Sequence, residues 1–260
     1  MVKNHKKSAL TLQGVSKWFG GVSAVRGVDL VIKVGERRAL IGPNGAGKTT
    51  LFNLITGELP LDEGKIWLFG RDVTYWSARQ RVMLGLGRTY QITQIFPNLT
   101  VEENLFLAVR RRQEISTGLL SNLFRSQTAD SVFRERVRQV AQSVNLEDAL
   151  TTLAGELSYG KQRQLELGLA LAVDPKILLL DEPTAGLSAG ERKWMTQLLE
   201  KIDKKVTILF IEHNIDVALH IADSVSVMYK GSIIAEADPE KIRMNKRVKE
   251  VYLGSPEVNG

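Results

Sequence analysis

The stretch from residue 37 to residue 56, RRALIGPNGAGKTTLFNLIT, does most to limit what this chain can fold into. A short apolar run ends at a glycine, a glycine-rich octapeptide follows, and helix formers come next. The octapeptide Gly42-Pro43-Asn44-Gly45-Ala46-Gly47-Lys48-Thr49 has the form G-x-x-x-x-G-K-T. Such a loop grips phosphate only when a strand delivers it and a helix leaves it. The grip needs backbone N–H groups at close range and the positive end of a helix dipole. A strand–loop–helix unit of this kind belongs to an α/β sheet. The buried runs KILLLDEP and VTILFIEH alternate with the helical stretches AGERKWMTQLLEKI and NIDVALHIAD. That alternation predicts a parallel sheet covered on both faces.

Before the octapeptide, ALTLQGVSKWFGGVSAVRGVDLVIKVG reads as short strands between glycines, and GKIWLFGRDVT as a strand pair. These predict an N-terminal antiparallel β subdomain. Gly57 closes the helix that follows the glycine-rich loop. The character changes near residue 92. Thr100 and Glu103 form a capping box that starts a helix through about Arg112, ADSVFRERVRQVAQSVNL has helical period, and the pattern is helical again from Leu157 to Asp174. SVSVMYKGSIIAEAD predicts a hairpin turning at Lys230-Gly231. The expected organisation is one domain over residues 8–260. Residues 8–92 and 166–240 form its nucleotide-binding core, 93–165 an inserted α-helical subdomain, and 241–260 a C-terminal helix and tail.

The absence of cysteine excludes disulfides, thiolate metal sites and a cysteine nucleophile, and it suits a reducing compartment. No apolar run approaches the ~18 residues of a membrane span, and no apolar stretch follows the basic start as in a secretory signal. The net charge is +6, with clusters at Lys3, Lys6, Lys7 and at Lys241, Arg243, Lys246, Arg247, Lys249. No aromatic residues interleave with them, so they read as solvated ends and no nucleic-acid partner is expected.

In the glycine-rich loop, Lys48 is placed to reach β- and γ-phosphates and the Thr49 hydroxyl to ligate Mg2+, with Thr50 beside it. The run ILLLDEP ends in two acids, costly at a buried strand end unless they face a site. Asp181 is expected to hold the metal through water, and Glu182 to polarise the water that attacks the γ-phosphoryl group. Together these residues predict a nucleoside triphosphatase.

One further string narrows the class. Residues 157–164, LSYGKQRQ, stand just before that acidic strand. They resemble the signature of ATP-binding cassette (ABC) proteins, usually written LSGGQ, and the resemblance extends over nearly the whole chain. Ser158 and Gly160 fit the pattern; Tyr159 and Lys161 replace the commonest residues. The resemblance implies a P-loop ABC ATPase core and the cofactors ATP and Mg2+. Ser158 and Gly160 would then bind the γ-phosphate of ATP held by the opposite subunit. It implies that Phe19, or its neighbour Trp18, stacks on adenine. Gln91, with Gln94 as the alternative, would sense magnesium and the attacking water, and His213 would contact the γ-phosphate. His5 and His220 receive no role. Ser188 departs from the family's usual Asp, and with Glu191 it forms a Ser-x-x-Glu capping box.

One signature and one phosphate loop per chain imply a dimer, with itself or with a second ABC ATPase subunit. The resemblance also implies two transmembrane permease subunits, docked near ITQIFPNLT with Ile95, Phe96 and Pro97 as apolar contacts. An extracytoplasmic solute-binding protein would act indirectly, and the chain would lie on the cytoplasmic face of the inner (plasma) membrane. The GRTYQ loop, the insertion TGLLSNLFRS and the tail DPEKIRMNKRVKEVYLG are similar to the larger ATP-binding subunit of branched-chain amino acid importers. The alternatives are a cassette for urea, amides or aromatic acids, one for lipopolysaccharide export, and a soluble non-transport cassette.

Overall fold

The computed structural model describes residues 8–89, 95–117 and 127–253. The expectations for Gln91, for Gln94, for most of the TGLLSNLFRS insertion and for the first basic cluster lie outside them. The chain begins with β1 (Ser8–Phe19), β2 (Val22–Lys33), β3 (Arg37–Ile41), α1 (Lys48–Thr56), β4 (Glu63–Leu68) and β5 (Arg71–Asp72). Then come α2 (Ala78–Leu84), β6 (Leu86–Arg88), α3 (Val101–Thr117), α4 (Gln127–Ser143) and α5 (Tyr159–Ala172). β7 (Ile177–Asp181), α6 (Ala189–Lys201), β8 (Thr207–Ile211), α7 (Ile215–Ile221), β9 (Ser224–Tyr229) and β10 (Ser232–Ala237) follow. The helices α8 (Pro239–Met244) and α9 (Lys246–Leu253) come last.

Two sheets organise these elements. The first is antiparallel, in the order β2-β1-β4-β5. The second runs β10-β9-β3-β8-β7-β6, parallel from β9 to β6 with β10 as an antiparallel edge. The N-terminal strands are longer than their glycines suggest. Gly14 and Gly27 lie inside β1 and β2 at positive φ, next to shifts of register, so they bend strands rather than end them. Lys230 and Gly231 turn the β9–β10 hairpin, both at positive φ.

The central parallel strands β3, β7 and β8 are buried throughout, and their side chains alternate between two cores. Ile177 and Leu179 of β7, with Leu209 and Ile211 of β8, pack toward α1 and the antiparallel sheet. Leu178 and Leu180, with Ile208 and Phe210, pack toward α5, α6 and the helices α3 and α4. A two-residue period therefore turns Asp181, like Leu179, toward the α1 side. The capping boxes form as the sequence indicates, Thr100 with Glu103 and Ser188 with Glu191. A third, Ser77 with Gln80, starts α2, which the reading by hydrophobic period passed over.

Candidate functional site at the carboxyl ends of the parallel strands

The chain leaves β3 at Ile41 and turns through the glycine-rich loop into α1. A Cβ on Gly42 would run into the Met228 carbonyl, and one on Gly47 into the Ala24 carbonyl. Only glycine allows so close an approach at these positive φ angles. Gly47 caps α1 without a side chain, and the first turn of α1 holds no acidic residue. By contrast α2, α5, α6 and α7 begin with a Ser or Asn side chain bonded to the first turn. The opening N–H groups of α1 are thus left for an anion, where the helix dipole favours one.

Asn44, Gly45, Ala46, Gly47, Lys48, Thr49 and Thr50 line a cavity of about 580 Å³ together with Ala24, Glu182 and His213. Lys48 donates to the carbonyls of Gly42 at 2.7 Å and Pro43 at 3.0 Å. Burial holds its ammonium below the ordinary lysine value, against the opposing pull of Glu182 and Asp181.

Glu182 stands at the end of β7 in a left-handed backbone conformation, φ 51°. Such a conformation is costly for a residue with a side chain and recurs at functional sites. It lets Asp181 and Glu182 serve different places. Glu182 reaches the cavity, where its Oε1 lies 2.6 Å from His213 Nε2. Asp181 is only 1% exposed, and its Oδ2 accepts from Arg88 at 3.2 Å. Burial pushes the Asp181 carboxyl up, and Arg88 holds it down. Its other oxygen, Oδ1, is buried without a hydrogen-bond partner. A buried bare carboxylate oxygen suits a hard, oxygen-seeking cation such as Mg2+. Among the described residues no group of three or more His, Cys, Asp or Glu gathers as a metal cage. Magnesium that arrives with a nucleotide needs none.

The signature residues lie elsewhere. Ser158 and Gly160 do not line this cavity. Ser158 Oγ accepts the Lys161 N–H at 3.4 Å and so caps α5. Tyr159, where the usual signature has glycine, donates its hydroxyl to the Ala185 carbonyl at 3.2 Å and accepts from Arg163 Nε at 3.0 Å. The Ala185 N–H in turn donates to the Glu182 carbonyl at 3.1 Å. Glu191, bonded to Ser188, packs against Gly160. Phe19 is 47% exposed at the end of β1 and, like Trp18, does not line the cavity. Its ring meets the Lys17 ammonium, 5.7 Å from the centroid.

Two residues that the sequence reading missed belong to the surroundings. Glu212 follows β8 as Glu182 follows β7, and burial pushes its carboxyl up. It accepts the Thr184 hydroxyl at 2.6 Å and the Thr184 N–H at 3.1 Å. The signal was present, since FIEH, like ILLLDEP, puts an acid after an apolar strand. Arg88 is the other. A groove of about 750 Å³ lies beside it, lined among others by Glu58, Arg88, Phe96, Leu107 and Glu166. Of the three apolar contacts expected near there, Phe96 lines the groove. Ile95 packs on the helical core instead, and Pro97 lies against Gly155.

Comparison with known proteins agrees with this geometry. Residues 25–185 match the family model described as ABC transporter. The chain is 36% identical over 250 residues to the high-affinity branched-chain amino acid transport ATP-binding protein BraF of Pseudomonas aeruginosa, covering 94% of this chain and 97% of that protein. It is 37% identical over 250 residues to LivG of Salmonella typhimurium, which carries the same description, with the same coverage. Among solved structures, a nucleotide-free ATP-binding cassette from an ABC transporter superposes with TM-score 0.81 at 31% identity, over 95% of this chain and 99% of that one. The ADP conformation of the cassette MJ1267 does so with TM-score 0.81 at 32% identity and the same coverage. A strand-fed glycine-rich loop, an acidic strand end and a signature before that strand, on the fold of these cassettes, make this chain a member of the ABC transporter family of ATP-binding proteins.

Proposed function

We propose that this chain hydrolyses ATP and thereby drives the uptake of amino acids, branched-chain ones in particular, through partner permeases. The observation that carries the chemistry is the cavity that unites the uncapped start of α1, Lys48, Thr49, Glu182 and His213. The triphosphate lies along the N–H groups of residues 44–50, with Lys48 turning from its carbonyl partners to the β- and γ-oxygens. Thr49, and Asp181 acting through water from its bare Oδ1, would hold magnesium, which would supply charge neutralisation on the phosphoryl oxygens. Glu182 orients and polarises the attacking water, and His213, bonded to it, faces the γ-phosphoryl group. By the resemblance, Gln91, which lies outside the described residues, would complete the magnesium site, and Phe19 would stack on the adenine.

Ser158 and Gly160 lie outside this cavity, so they serve the nucleotide of a second cassette. A dimeric structure of the cassette MJ0796 bound to ADP and Pi, 25% identical with TM-score 0.74, supports that arrangement. The 750 Å³ groove suits docking of a membrane subunit. No described helix is long and apolar enough to cross a membrane. Association with the cytoplasmic face would run through the permeases. The substrate class rests on the names of BraF and LivG.

The test is affinity purification of the chain from mildly solubilised membranes, followed by mass spectrometry and uptake assays with the recovered subunits. Two permeases and a second cassette, with ATP-dependent uptake of leucine-type amino acids, are expected. Recovery of ribosomal or DNA-bound material without any membrane protein overturns the transport reading and leaves the ATPase chemistry standing.

A further inference from the structure

Arg88 ends β6 beside the 750 Å³ groove, with its side chain 7% exposed. Its guanidinium fork is held from several directions. Nη1 donates to Asn53 Oδ1 at 2.6 Å and to Glu58 Oε2 at 2.9 Å, and it comes within 3.4 Å of Thr56 Oγ1. The guanidinium carbon lies 5.9 Å from the centroid of the Phe52 ring. Nη2 reaches Asp181 Oδ2 at 3.2 Å. The partners on Nη1 and the ring of Phe52 are all independent of Asp181. They belong to α1 and the turn that follows it, the same element that presents Lys48 and Thr49. The arginine is therefore anchored to the phosphate-binding helix, and it reaches across to the neighbouring strand.

That geometry gives Arg88 a task beyond neutralising a buried charge. Asp181 has one oxygen engaged by Arg88 and one without a partner. A carboxylate turns freely about its last bond unless one oxygen is fixed, and a planar fork fixes it better than a point charge does. We propose that Arg88 is a positioning residue. By tethering Oδ2 of Asp181 to the end of α1, it sets the direction in which Oδ1, or a water held on it, faces the metal of the metal–nucleotide complex. Such outer partners of a metal-binding group are worth about 10- to 100-fold in metal affinity. Because Nη1 also holds Glu58, which lines the 750 Å³ groove, the metal-binding acid and the groove wall share one rigid cation. The proposal rests on the reading of Asp181 as the magnesium-site acid.

The experiment titrates Mn2+, the spectroscopic stand-in for magnesium, into the full chain with saturating ADP, reading free Mn2+ by electron paramagnetic resonance. ADP affinity is measured separately in EDTA. Arg88→Gln is expected to weaken Mn2+ binding about tenfold with ADP affinity in EDTA unchanged, and Arg88→Lys, which keeps the charge but loses the fork, about threefold. A merely structural arginine would lower the melting temperature of both variants and leave Mn2+ binding as it was. That result overturns the proposal, and if the Gln variant fails to fold, the Lys variant decides alone. Asp181→Asn separates the two levels of the argument. If it abolishes tight Mn2+ binding while the Arg88 variants bind normally, the positioning role falls and the site stands. If it leaves Mn2+ binding intact, the assignment of Asp181 falls, and the role of Arg88 with it.

Discussion

Two helix starts in this molecule use the same physics in opposite ways. α1 opens on Gly47, with no side-chain cap, and its first N–H groups face a cavity walled by Glu182 and His213. α5 opens on Ser158, whose hydroxyl already caps it, and none of the residues lining that cavity comes from α5. The first start is equipped within its own chain with a cation, a carboxylate and an imidazole. The second is a shaped, basic helix end, Lys161 in its first turn, with its chemistry still to be supplied. On the proposed function, a chain built this way would carry two halves of a reaction that fold geometry keeps apart.

The sharpest way to break that comparison is at Glu182. Glu182→Gln is expected to keep nucleotide binding and to lower turnover of the assembled ATPase at least about 10²-fold. Near-normal turnover would remove Glu182 as the group that activates water, and the first helix start would lose its claim to completeness. Ser158→Ala probes the other half. In the isolated chain it is expected to leave ADP affinity unchanged while costing about 1 kcal/mol in denaturant unfolding, the worth of an N-cap. Lower ADP affinity in the monomer would show that the signature serves its own nucleotide after all.

The smallest expected effect concerns Glu212, beneath the same strand ends. Burial raises its carboxyl above the ordinary value of 4.5, so the folded chain retains a proton that the unfolded chain has released. Its contribution to stability is therefore full below pH 4.5 and declines as the pH rises through the folded value. Urea unfolding between pH 4.5 and neutrality is expected to show a shallower fall for Glu212→Gln than for the native chain. An unchanged slope would mean that the buried acid does not titrate there.

Contiguous chemistry was legible in the sequence. The glycine-rich loop, the acidic strand end, the signature and the capping boxes each put their meaning into a few neighbouring residues. The parallel sheet was legible for the same reason, since its strands are buried on both faces and read as unbroken apolar runs. Long-range pairings were not. Arg88 acquires its role from Asn53, Glu58 and Asp181, and no local pattern links those positions. Gly14 and Gly27 misled because a glycine that ends a strand and one that bends it look alike until the register is known. Helix α2 escaped because it is short, although its Ser77–Gln80 box and the Gly85 terminus were there to be read.

The hydroxyl of Tyr159 has a mechanical consequence. It grips the Ala185 carbonyl, and the Ala185 N–H grips the carbonyl of Glu182. On the proposed function, one end of this short linkage would face the nucleotide across a dimer, and the other carries the carboxylate proposed to act at home. If that dimer forms, a push on the signature would reach the loop behind Glu182 through these two hydrogen bonds. In a pair of such cassettes, each nucleotide would be felt at both hearths, and the strokes of the two sites would keep a common beat.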